Sequence, residues 1–149
     1  MVASSRCWAR LARLISSATL LGTRGQLGGQ IIKSLKSNFE DINITAVGTN
    51  ATATAAMLKA GASQAATGEN PVVVACRKAD VIIGPIGIVI ADAMMGDITP
   101  QMATAVGQAD ATRILLPMNK CDNLVAGVSD ITMTAIIEDA ICKVKSIVL

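Results

Sequence analysis

Histidine and tyrosine are missing from all 149 residues of this chain, and Trp8 and Phe39 are its sole aromatic side chains. Without histidine, neither a Ser-His-Asp nor a Cys-His nucleophile can be assembled, and imidazole-ligated zinc is excluded. Without tyrosine, the tyrosine–lysine pair of short-chain reductases has no counterpart. So few aromatics offer no platform on which bases could stack, and a formal net charge of +2 leaves no basic footprint for nucleic acid. Cys7, Cys76, Cys121 and Cys142 stand without CxxC spacing, which reads as reduced, mostly buried thiols rather than a metal or redox site. No uninterrupted apolar run reaches the roughly 18 residues that a membrane span requires, so no membrane partner is expected.

Acidic residues are absent from the first 39 positions, which carry Arg6, Arg10, Arg13, Arg24, Lys33 and Lys36. The Arg- and Ser-rich start, MVASSRCWARLARLISSATLL, has the character of an organelle transit peptide. A short helix leading into a first strand fits it as well, and so does an altered start to a bacterial chain. Residues 1–20 are therefore set apart as an atypical N-terminal segment, and residues 21–149 as the folded domain. The location expected is the cytoplasm, with an organelle matrix as the alternative if the start is a transit peptide.

What remains is aliphatic. Ala, Val, Ile, Leu and Met supply nearly all of the 52% hydrophobic content, and one domain of this length buries about 70% of its unfolded surface. Small and branched aliphatics suit a parallel sheet covered on both faces. Along the chain, apolar runs alternate with helical patterns. Strands are expected over residues 15–21, 42–47 (INITAV), 80–83 (DVII) and 113–118 (RILLPM), with a short extended piece at 62–66 and a last strand at 124–128. Helices are expected over residues 26–37, 51–60, 71–78, 99–107 and 131–148. Asn50 suits an N-cap, Thr99-Pro100 a helix start, Pro71 a first turn, and Gly61 and Gly107 helix ends. Strands alternating with helices imply right-handed crossovers, hence one three-layer α/β domain with a Rossmann-like, doubly wound, mostly parallel sheet.

In such sheets, ligands settle beyond the carboxyl ends of the strands. Four loops there combine glycine with hydroxyl, amide or proline residues: residues 22–28 with Gly22, Gly25 and Gly28; Gly48-Thr49-Asn50; Thr67-Gly68-Glu69-Asn70; and Gly84-Pro85-Ile86-Gly87. Glycine lets backbone N–H groups approach a ligand closely, and a helix N-terminus following such a loop favours an anion. The carboxylates near this rim are Glu69, Asp92 and Asp97, which could hold ribose hydroxyls or a hydrated cation, or could merely cap helices. Met57 and Met94-Met95 read as core filler. The first loop has G-x-x-G-x-x-G spacing rather than G-x-G-x-x-G, and it lacks the Lys-Ser or Lys-Thr of a nucleoside-triphosphate loop.

Three resemblances bear on these segments. GTRGQLGGQII is similar to the cofactor loop of sugar-nucleotide reductases, but no acidic residue ends INITAV and no tyrosine follows. Asn119-Lys120-Cys121-Asp122 resembles the guanine-reading motif of GTPases, and reads instead as a polar turn because no phosphate loop or DxxG accompanies it. From Gly48 onward, the GTNA, TGEN and GPIGI segments, followed by ILLPMNKC and VAGV, resemble an uncharacterised Firmicutes family catalogued as a domain of unknown function. That resemblance covers roughly residues 25–145 and implies a small cytoplasmic Rossmann-like protein. Members open with a strand running into an Asp-Gly-Gln and polyglycine loop, of which Gly25-Gln26 and Gly28-Gly29 are the matching remnants.

The function expected is small-molecule binding, with a nucleotide, dinucleotide or other phosphorylated metabolite held by the glycine loops. Gly22, Gly25, Gly28, Gly48, Gly68, Gly84 and Gly87 would supply amides, with Thr49, Asn50, Thr67, Glu69 and Asn70 adding side-chain contacts. The alternatives are a small enzyme using Glu69 or Asp92 as acid or base, and a non-catalytic assembly subunit. A homo-oligomeric state stays open.

Overall fold

The computed structural model describes residues 17–22, 25–118 and 123–148. Expectations resting on the Arg-rich start, on Arg24, on the Asn119–Asp122 turn, or on Cys7 and Cys121 lie outside the described residues.

Five strands form one sheet: β1 (Ser17–Gly22), β2 (Asn43–Gly48), β3 (Gln64–Thr67), β4 (Val81–Pro85) and β5 (Thr112–Leu116). They lie in the order β3-β2-β1-β4-β5, and every neighbouring pair is parallel. Between and after them run α1 (Gly25–Asn38), α2 (Ala51–Lys59), α3 (Glu69–Lys78), α4 (Pro100–Gln108) and α5 (Met133–Val148), with a 3-10 turn at Ile86–Val89. This is the expected α/β, doubly wound, Rossmann-like architecture. No helix among the described residues is long and apolar enough to cross a membrane.

Side chains of successive strand residues point to opposite faces, so both faces must be apolar here. Leu20, Ile44, Ala46, Val81, Ile83, Ile114 and Leu116 meet Ile31, Ile32 and Leu35 of α1, Met57 of α2 and Ile137, Ile141 and Val144 of α5. Leu21, Val47 and Ile82 meet Val72 and Cys76 of α3 and Met102, Ala103 and Val106 of α4 on the other face. Each fully buried Ile, Leu or Val contributes about 1.5–3 kcal/mol. These two layers are aliphatic throughout, with Phe39 packed against the edge of the first.

Local chemistry sets the helix starts. Asn50 caps α2 by accepting from Ala53 N–H at 2.8 Å, and Thr99 caps α4 by accepting from Met102 N–H at 3.1 Å. Pro71 falls in the first turn of α3, where its missing N–H is not needed.

Two expectations need correction. Residues 124–128 form no strand: Leu124 is exposed, and Gly127, at φ +81°, turns the backbone out of the extended region. After β4, where no strand or helix is expected, the chain forms the 3-10 turn and a series of turns reaching residue 97. Gly107 lies inside α4 with open space beside its Cα, whereas Gly61 does follow α2 at φ +113°.

Candidate functional site

Because all five strands are parallel, the loops after β1, β2, β3 and β4 share one edge of the sheet. Gly22, Gly48 and Thr67 even stand side by side in register at the ends of three neighbouring strands. Strand order then divides these loops into two groups. The chain winds outward from β1 to β2 and β3, and crosses back so that β4 and β5 lie on the other side of β1. The crevice belongs at that reversal, between the ends of β1 and β4.

A cavity of about 290 Å³ lies there. Gly22 and Gly28 line it from the β1 side, and Gly84 and Gly87 from the β4 side. Leu20, Leu21, Leu27, Ile31, Pro85 and Met118 give it an aliphatic wall, and Met94, Met95 and Asp97 reach it from the long loop between β4 and α4. Two larger hollows, about 460 Å³ between α3 and α4 and about 430 Å³ beside β5 and α5, are surface grooves away from the strand ends. Location and lining, not size, single out the crevice.

Gly28, Gly84 and Gly87 each have a packing reason. A Cβ at Gly84 would come within 2.7 Å of the Leu21 carbonyl oxygen, and one at Gly87 within 2.8 Å of Met94 Cε. At Gly28 it would meet Met57 Sδ at 2.5 Å, so this glycine lets α1 settle against β1 and α2. Leu27 and Gly28 belong to the first turn of α1, whose N–H groups have no acceptor within the helix. That end of the helix carries about half a positive charge. Anion-favouring dipole and apolar wall thus meet at one crevice.

The other sequence-nominated residues do not line this cavity. Gly25 faces α2, where a Cβ would approach Ala56 Cβ to 2.5 Å. Gly48 leaves room for Thr54, whose Oγ1 pairs with Thr67 Oγ1 at 2.7 Å and joins the β2 and β3 loops. The amides there are partly consumed by the chain itself: Thr49 N–H donates to the Gly22 carbonyl at 3.3 Å and Gly68 N–H to the Gly48 carbonyl at 3.1 Å. Asn50 is occupied as an N-cap, Gly68 (φ +111°) turns the chain into α3, and Asn70 is exposed in that helix's first turn. Glu69 accepts from Thr99 Oγ1, tying the start of α3 to the cap of α4. Asp92 is exposed and outside the cavity. Neither carboxylate proposed as an acid or base is at the crevice.

Asp97 is the one charged side chain among the described cavity-lining residues. Asn50 Nδ2 donates to Thr49 Oγ1 at 3.5 Å, and Thr49 Oγ1 donates to Asp97 Oδ2 at 3.3 Å. The loop bearing Asp97 is unusual: Asp92, Met94 and Met95 all have φ near +60°, a conformation that non-glycine residues rarely adopt. It is held by Asp92 N–H to Ile98 carbonyl and Ile98 N–H to Ala93 carbonyl, at 2.8 and 3.3 Å. Met94 is half-buried against the cavity and Met95 fully exposed, so Met95 is not core filler. The sequence signal was available in part, since Met94-Met95-Gly96 ends an apolar run with a residue suited to positive φ.

No metal-ligating cluster of three or more His, Cys, Asp or Glu occurs among the described residues. Burial pushes the Cys76 thiol up to about 11, which keeps it protonated and unreactive near neutral pH.

No curated protein matches the sequence. Among solved structures, apo histidine-tagged saccharopine dehydrogenase (L-Glu forming) from Saccharomyces cerevisiae is similar over 69% of this chain, at 17% identity and a TM-score of 0.48. This chain spans only 22% of that dehydrogenase's length. A family model, described as Domain of unknown function (DUF3842), matches residues 18–149. The chain belongs to the DUF3842 family.

Proposed function

We propose that this protein binds a small molecule, a nucleotide or similar phosphorylated metabolite, in the crevice between the ends of β1 and β4. The observation that carries the reading is the cavity lined by Gly22, Gly28, Gly84 and Gly87 at the point where strand order reverses. A phosphate would be received by the first-turn amides of α1, and an apolar or flat group by Leu20, Leu27, Ile31 and Met118. At about 290 Å³ the cavity is at the small end of ligand sites, which favours a mononucleotide-sized group over a whole dinucleotide. Free Cys76 and Cys142 fit a reducing, cytoplasmic setting.

Thermal unfolding with a panel of mononucleotides, dinucleotides and flavins tests the reading. A ligand at about 100 times its dissociation constant adds about 2.7 kcal/mol, which raises the melting temperature by roughly 5–10 °C for a domain of this size. An unchanged melting temperature across the whole panel would refute nucleotide binding.

A further inference from the structure

Resting on the nucleotide reading above, we infer that Asp97 selects ligands carrying a free vicinal diol, holding the ribose hydroxyls of the bound nucleotide. A ribose ligand in this crevice needs an acceptor for its hydroxyls, and β2 ends in Gly48-Thr49-Asn50 with no carboxylate of its own. The carboxylate arrives instead from the loop before α4. Thr49, at the tip of β2, donates to Asp97 Oδ2, and Asn50 donates in turn to Thr49, so two residues that do not line the cavity orient one that does. Asp97 Oδ1 has no partner among the described residues. Asp97 is exposed and accepts from Thr49 at 3.3 Å, and a carboxylate that retains acceptor capacity on both oxygens is suited to two hydroxyl donors at once.

Charge makes the same selection. Asp97 is the one charged side chain among the described cavity-lining residues, and its negative charge disfavours a second phosphate placed beside it. A hydroxyl is attracted and a phosphate repelled at that end, while the α1 end favours the phosphate. The ligand is therefore oriented, with its anionic group at α1 and its hydroxyls at Asp97. The left-handed backbone at Asp92, Met94 and Met95 belongs to the same loop. Strained backbone of this kind gathers where a side chain must be held in place for binding.

The test compares binding of the four ribonucleoside 5′-monophosphates with their 2′-deoxy counterparts, by calorimetry, to the full-length wild type and to Asp97→Asn. Asparagine keeps the size and an acceptor for Thr49 but removes the charge. Wild type is expected to prefer at least one ribonucleotide over its deoxy form by about tenfold or more, as loss of a charge-assisted hydrogen bond implies. In D97N that preference collapses to within about threefold, with the ribonucleotide weakened and the deoxy form little changed. Equal binding of ribo and deoxy forms to wild type, or an undiminished preference in D97N, overturns the role of Asp97 and leaves the crevice as a nucleotide site. Absence of binding by every one of the eight probes overturns this inference together with the nucleotide reading on which it rests.

Discussion

Met95 presents its whole side chain to solvent at φ +61°. A left-handed conformation at a non-glycine residue costs roughly 1–2 kcal/mol, and an exposed methionine offers no burial to offset it. Replacing Met95 with glycine is therefore expected to stabilise the chain by about 1 kcal/mol, seen as a higher urea midpoint with an unchanged slope. An unchanged or lower midpoint would contradict the left-handed backbone at this position. Such a conformation could not be read from the sequence. An apolar dipeptide after an apolar run suggests core, whereas the turn is dictated by hydrogen bonds between residues 92–93 and Ile98 and by the packing of Ala93 and Ile98 beneath it. Asp97 was visible as a rim carboxylate, but its pairing with Thr49, 48 positions earlier, exists only in the folded chain.

At the scale of an element, α1 shows why glycine spacing is an ambiguous signal. Residues three or four apart share a helix face, so a G-x-x-G pattern can serve a neighbouring helix as readily as a ligand. Gly25 and Gly29 face α2, while Gly28 serves both purposes, touching Met57 and lining the cavity. The consequences differ by position. A Cβ at residue 25 would lie 3.1 Å from backbone atoms of Ala53 as well as against Ala56, and backbone cannot yield as a side chain can. Gly25→Ala is therefore expected to destabilise by about 1–3 kcal/mol. At residue 29 the nearest atom is Ala60 Cβ at 3.4 Å, an ordinary contact, so Gly29→Ala should gain up to about 1 kcal/mol from helix propensity. Thermal melts of the two variants check both signs, and a reversal would mean that α1 does not lie on α2 in this register. Sequence alone offered no means of separating these roles, because a ligand and a neighbouring helix both demand the missing Cβ.

Across the whole molecule, the alternation of INITAV, DVII and RILLP with amphipathic helices was enough to indicate a parallel, doubly covered sheet, although only β4 is buried along its whole length. Boundaries fell within a few residues for most elements. The order of strands was not legible: whether a crossover returns to the left or right of an earlier strand depends on packing between helices far apart in the chain. That order decides the site. It places the crevice between β1 and β4 and so moves Gly48–Asn50 and Thr67–Asn70 away from the cavity wall, leaving Thr49 and Asn50 to act on it through Asp97. Glu69 is drawn to the Thr99 cap of α4, and Asp92, although it belongs to the loop that reaches the cavity, is exposed and does not line it. Amide chemical-shift mapping by NMR, titrating whichever mononucleotide stabilises the protein most, tests the crevice directly. The largest shifts are expected at Gly22, Leu27, Gly28, Gly84 and Gly87, on both sides of the gap between β1 and β4. Shifts confined to the groove between α3 and α4, around Arg77, Gln101 and Gln108, would contradict a binding site at the strand ends.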